Sequence, residues 1–83
     1  EPHVIKLKPK AWKVLGKASI EEVNRTMRSR FTESPDYDTI SGFVTDKIGR
    51  IPKQGEDIHI RKYTFKIEKM EDNRIIEIKI TKK

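Results

Sequence analysis

Few of the 83 residues have side chains suited to chemistry, and no two of the reactive types stand at a spacing that an active site needs. The only histidines are His3 and His59, both expected near polar surface. A metal would need further ligands converging on them. Asp57, the acid closest to His59, is expected to face the other side of its strand. Asp36 and Asp38 flank Tyr37 ahead of a helical stretch. Two carboxylates could hold magnesium through oxygen and retained water, but in a turn they more readily organise the bend and cap the helix. Serine and threonine occur without a G-x-S-x-G elbow or an adjacent base. Cysteine is absent, which removes disulfides, thiolate metal sites and cysteine nucleophiles together. An enzyme is not expected.

One charge stands apart. Arg50 lies between Gly49, which ends a helical pattern, and Pro52, which fixes a bend. It could neutralise the carbonyls of the helix end. Alternatively, its guanidinium could grip a partner's carboxylate or a ligand's phosphate in bidentate fashion.

The elements that would position these residues follow from periodicity. Ile5 and Leu7 alternate with Lys6 and Lys8 before Pro9, a short strand with its apolar pair expected inward. Trp12, Val14 and Leu15 make a second strand closing at Gly16. Ser19 and Glu22 form a capping box ahead of Ile20, Val23 and Met27 at helical spacing, a stripe that Phe31 could extend. A second helix, capped by Asp38 or Thr39, would bury Ile40, Phe43, Val44 and Ile48. Gly42 within it costs up to about 1 kcal/mol relative to alanine, so close approach of another backbone is expected there. Gly49 suits the left-handed residue past the helix end, and Pro52 prevents its resumption.

Beyond Gly55 the period becomes two. Ile58 and Ile60, then Tyr63, Phe65 and Ile67, then Ile76, Ile78 and Ile80 mark three strands, with a hairpin turn at Asp72 and Asn73. The expectation is an α+β domain, two helices packed on one face of a mainly antiparallel sheet. Eighty-three residues suffice for one domain only, and 34% hydrophobic content makes a lean core. Packing against a partner or as a homodimer would help. Twelve isoleucines place much of that core in the sheet.

The net charge of +6 invites a nucleic-acid or anionic-membrane partner. Five lysines and no acid lie between Lys6 and Lys17, whereas elsewhere the signs mix. Strand lysines alternating with core residues are the wet face of a sheet, and Tyr63 and Phe65 share the inward register rather than standing ready to stack on bases. Nucleic acid is therefore the second choice of partner. No run approaches the roughly 20 apolar residues that cross a bilayer, and the start at Glu1 suggests a segment of a longer polypeptide.

Several of these residues together resemble the transporter-associated domain at the C-terminus of CorC and HlyC-type proteins, hemolysin-like membrane proteins with a CBS pair linked to magnesium and cobalt efflux. The likeness rests on Ser19-Ile20-Glu21-Glu22-Val23-Asn24, on Tyr37-Asp38-Thr39-Ile40-Ser41-Gly42-Phe43, on Gly49-Arg50-Ile51-Pro52 with Gly55-Glu56, and on Arg74-Ile75 with the closing strand. It departs where Lys17-Ala18 replaces a usual glycine and where Arg61-Lys62 replaces a small residue. The resemblance implies a single domain over residues 1–83, taken from the C-terminus of a membrane protein. It implies a regulatory, cytoplasmic role, with the parent's CBS pair and transmembrane region as partners and an anionic membrane surface nearby. Its motif positions are Glu22, Asn24, Tyr37, Asp38, Thr39, Gly42, Gly49, Arg50, Pro52 and Gly55. The family's fold is compared with one half of a flavin-oxidase FAD-binding domain, so FAD or an adenine nucleotide follows by analogy of fold alone; no glycine-rich phosphate loop accompanies it.

Overall fold

Alternation of isoleucine with charge builds most of the sheet, and the helices supply its single cover. The computed structural model describes residues 2–83. In chain order the elements are β1 (Val4–Lys8), β2 (Ala11–Leu15), α1 (Ile20–Met27), α2 (Ile40–Ile48), β3 (Asp57–Ile60), β4 (Tyr63–Glu71) and β5 (Arg74–Lys82). The five strands lie in the order β1-β2-β5-β4-β3, with every neighbouring pair antiparallel. The α+β expectation is met. The last three strands form the meander foreseen, and the N-terminal hairpin adds to it by pairing β2 with β5.

The β4–β5 hairpin turns through Asp72 and Asn73, both left-handed at φ 49° and 63°. Two such residues between paired positions Glu71 and Arg74 match the twist of the strands. Arg61 is left-handed as well, at φ 57°, which explains why a small residue suits that turn.

The inner face joins Trp12, Val14, Phe65, Ile67, Ile78 and Ile80 to Ile20, Val23 and Met27 of α1 and to Ile40, Phe43 and Val44 of α2. Ser19 caps α1 by accepting the Glu22 N–H at 3.0 Å. The other half of the expected capping box does not form, because the Glu22 carboxylate meets His3 Nδ1 at 3.0 Å instead. Phe31 is buried but lies beyond the helix, which ends when Arg28 turns left-handed.

Three further expectations are corrected. Ile5 and Leu7 are 39% and 50% exposed, and Val4 is the buried residue of β1. An alternating strand has two faces, and in the register of β1 against β2 it is Val4 that stands opposite buried Val14. Ile48 is only half-buried. On β5 it is Ile75 that is buried, with Ile76 half-exposed, because irregularities in the β4–β5 register shift the alternation near the turn. The glycine inside α2 marks a close approach, of a side chain more than of another backbone: a Cβ on Gly42 would stand 2.8 Å from the Tyr37 Cβ and 3.7 Å from its Cα.

Candidate functional site

The ten motif positions fall into three groups. The first is where the helices begin. Ser19 and Thr39 form an isolated antiparallel bridge, with the Ile20 N–H donating to Asp38 O at 3.1 Å and the Ile40 N–H to Ala18 O at 2.8 Å. Each helix start therefore uses the segment before the other as a backbone partner. Thr39, not Asp38, caps α2, accepting the Gly42 N–H at 3.2 Å. The Tyr37 hydroxyl donates to Thr32 O, and its ring packs edge-on against Phe43 at 5.6 Å. Burial first, then the nearby charges of Asp46 and Asp36, push the Tyr37 hydroxyl pKa upward. The carboxylates of Asp36 and Asp38 are exposed, and their neighbourhood shows a turn: the Asp36 N–H donates to Ser34 Oγ.

The second group is the exit of α1, organised by Asn24. Its Nδ2 donates to Phe31 O at 2.9 Å, while its Oδ1 accepts both the Ser29 hydroxyl and the Phe31 N–H at 2.9 Å. This amide drives Phe31 inward, onto the rings of Phe43, Tyr63 and Phe65 at 4.9 to 5.4 Å. Nothing in the sequence pointed to that role beyond the motif itself.

The third group is the loop from Gly49 to Glu56. Arg50 neither caps the helix nor stands free. The two terminal guanidinium nitrogens, Nη1 and Nη2, donate to the two Glu56 oxygens, the bidentate fork for which arginine is suited. Glu56 also accepts the Lys53 N–H at 3.0 Å. Those bonds, the Arg50 one foremost, lower the Glu56 pKa from 4.5 to about 2, and the same bond raises that of Arg50. Pro52 is buried beneath the loop. The Gly55 N–H donates to Ile67 O at 2.7 Å, the Ile67 N–H returns to Glu56 O, and Gln54 Oε1 accepts the Met70 N–H. The loop is laced to β4, and the charges of Arg50 and Glu56 are paired within it. Glu56 is the residue that reading from sequence left out of the site.

The histidines do not meet. His3 pairs with Glu22, and His59 Nδ1 lies 3.1 Å from Thr64 Oγ1. Asp57 and His59 are both exposed on β3, and side chains two apart share a face, contrary to the expectation that they diverge. Among the described residues no group of three or more His, Cys, Asp or Glu could hold a metal ion.

Among the described residues nothing covers the sheet face away from the helices. Across it Lys13, Lys79 and Lys66 stand in register on β2, β5 and β4, flanked by Ile5 and Asp57. Like charges opposite one another oppose pairing, and Lys13 is relieved by Glu77 at 3.5 Å. Trp12, Tyr63 and Phe65 are buried on the other face, as expected. At the end of the sheet a cleft opens between Leu15, the start of α2 and the start of β5. No helix among the described residues is long and apolar enough to cross a membrane.

Comparison with known proteins places this geometry. The magnesium and cobalt efflux protein CorC of Buchnera aphidicola subsp. Baizongia pistaciae is 43% identical over 63 residues, 76% of this chain and 22% of that protein. The protein of the same name from Escherichia coli K12 is 36% identical over 69 residues, 83% of this chain and 23% of its own length. This chain therefore spans less than a quarter of either relative. The CorC_HlyC transporter-associated domain of Nitrosomonas europaea superposes with a TM-score of 0.88 at 19% identity, over 100% of this chain and 99% of that one. Residues 5–83 match the family described as "Transporter associated domain", and the chain belongs to that CorC_HlyC family.

Proposed function

We propose that this domain is a non-catalytic accessory module on the cytoplasmic side of a CorC-type membrane protein, and that it modulates efflux of magnesium and cobalt. The observation that carries the reading is the likeness, over three-quarters or more of this chain, to proteins named for magnesium and cobalt efflux. The chain covers only 22% and 23% of them, so the transporting portion would lie in other segments. Its partners would be the CBS pair and transmembrane region of the same polypeptide. A module of this kind acts by docking differently in two states of the transporter, since only a differential affinity shifts an equilibrium.

The test is an exchange of domains. In the E. coli relative, deletion of the corresponding domain should change cobalt tolerance and magnesium efflux, and grafting this domain in its place should restore them. A graft that behaves like the deletion, or a deletion without effect on either ion, overturns the reading. A second reading, binding to nucleic acid, draws support from the row of Lys13, Lys79 and Lys66. It requires affinity that falls steeply as salt rises, through counterion release; a flat salt response sinks it.

A further inference from the structure

The cleft at the end of the sheet has a volume of about 520 Å³, within the range of small-molecule sites. Its wall is aliphatic, formed by Leu15, Ile75 and Ile76. Leu15 and Ile76 are only half-buried, so apolar surface stands open to water there, at a cost that an apolar ligand would remove. The rim is polar, with Lys17, Arg74 and Ser41, and among the described residues none that lines the cleft is acidic. The first turn of α2 carries no acid either.

The amides at the start of α2 are not what would hold an anion. The Ile40 and Ser41 N–H groups donate to Ala18 O and Gly16 O, and those of Gly42 and Phe43 to Thr39. Side chains must do it, and Arg74 is the one placed to. It follows the Asp72–Asn73 turn directly, so its backbone is set by the hairpin. Glu71, its cross-strand neighbour, is 3.8 Å from Lys69. Arg50 offers the contrast, with its fork already filled by Glu56. The floor is closely packed: a Cβ on Gly16 would sit 1.9 Å from Ile75 O.

We propose that this cleft binds a small ligand consisting of an apolar or aromatic body and one phosphate or carboxylate group. The body lies against Leu15, Ile75 and Ile76. The anionic group rests on the Arg74 guanidinium, within reach of Lys17 and the Ser41 hydroxyl. The assignment stands on the cleft alone and does not depend on what the parent protein transports.

Phenyl phosphate is the probe, followed by amide chemical shifts of the folded domain. Saturable shifts centred on Gly16, Ser41, Ile75 and Ile76, with a dissociation constant of about 1 mM or tighter, are expected. Inorganic phosphate and phenol should each bind about tenfold more weakly, since each lacks half of the recognised chemistry. Benzoate separates a carboxylate source from a phosphate one, and saturation by either probe supports the site. Arg74→Gln should weaken binding about tenfold through loss of a charge-assisted hydrogen bond, whereas Lys13→Gln on the bare face should leave it unchanged. Arg74 is exposed and Lys13 lies on the wet face of the sheet, so the fold survives the changes. Absence of saturation with both probes overturns the proposal. Equal affinity for inorganic phosphate, or an Arg74→Gln domain that binds like the wild type, does so too.

Discussion

Both helices end in a left-handed residue, yet the two exits are sealed by opposite means. Past α1 the left-handed residue is Arg28 at φ 57°, and the chain is then gathered by the amide of Asn24. Past α2 it is Gly49 at φ 71°, and the chain is gathered by the exposed Arg50–Glu56 pair. One seal is neutral, half-buried and fixes a core aromatic. The other is charged, lies in solvent and fixes a surface loop. Exposed ion pairs contribute little and are screened by salt, whereas an unmade buried hydrogen bond costs its full desolvation. The stability of this domain should therefore depend far more on its first exit than on its second, even though the second holds the more conspicuous charges.

The largest test of that contrast is Asn24→Ala. It strips partners from the Phe31 N–H, the Phe31 C=O and the Ser29 hydroxyl at once and loosens a ring that touches three others. A loss of about 3 kcal/mol is expected, at about 1–3 kcal/mol for each buried group left unsatisfied and with incomplete additivity. Chemical denaturation measures it. Arg50→Gln should move the midpoint much less. Equal midpoints for the two variants would mean that the exposed fork, not the amide, holds the molecule together.

Asn24 also shows where the sequence stops being legible. Inside a helix, asparagine reads only as a weak former that competes for backbone groups. Its partners lie five and seven residues on, in a stretch without periodicity. Glu22 misled for a related reason. The capping-box spacing is local, but His3, nineteen residues earlier, offered a better partner, and only the tertiary fold brings it there. By contrast Ser19, the α1 stripe of Ile20, Val23 and Met27, the Asp72–Asn73 turn and the inward register of Tyr63, Phe65 and Ile67 all follow from spacing within one element. Alternation gives β1 two faces without saying which one the helices cover, and they cover Val4 rather than Ile5 and Leu7. The Arg50–Glu56 fork lies between these cases, since both residues stand in the motif but nothing in their spacing shows that they meet.

A smaller effect comes from the left-handed positions themselves. At φ near +60° a side chain pays a penalty that glycine does not. Arg28→Gly should therefore stabilise the domain by up to about 1 kcal/mol, set against the greater freedom glycine gives the unfolded chain. Gly49→Ala should destabilise it by about 1 kcal/mol. Nothing lies within 4 Å of a Cβ built on Gly49, so any loss there reports backbone conformation and not a clash. If Arg28→Gly destabilised the domain, the arginine side chain itself would be part of the first seal.

The smallest expected effect is the most specific to the second exit. Glu56 has its pKa lowered to about 2 in the folded domain by Arg50 and the Lys53 N–H, against an ordinary 4.5. A carboxyl whose folded pKa lies below its unfolded one contributes stability above the unfolded value, and that contribution disappears as pH falls through the folded one. The gap in denaturation midpoint between the wild type and Glu56→Gln should thus be constant near neutrality and close as acid is added, between about pH 4.5 and about pH 2. Added salt should narrow it at every pH. Asn24→Ala should show neither dependence, because no charge is involved in its bonds. A Glu56→Gln gap that persists unchanged into strong acid would show that the loop is held by its backbone bonds to β4 and that the fork contributes nothing to the second seal.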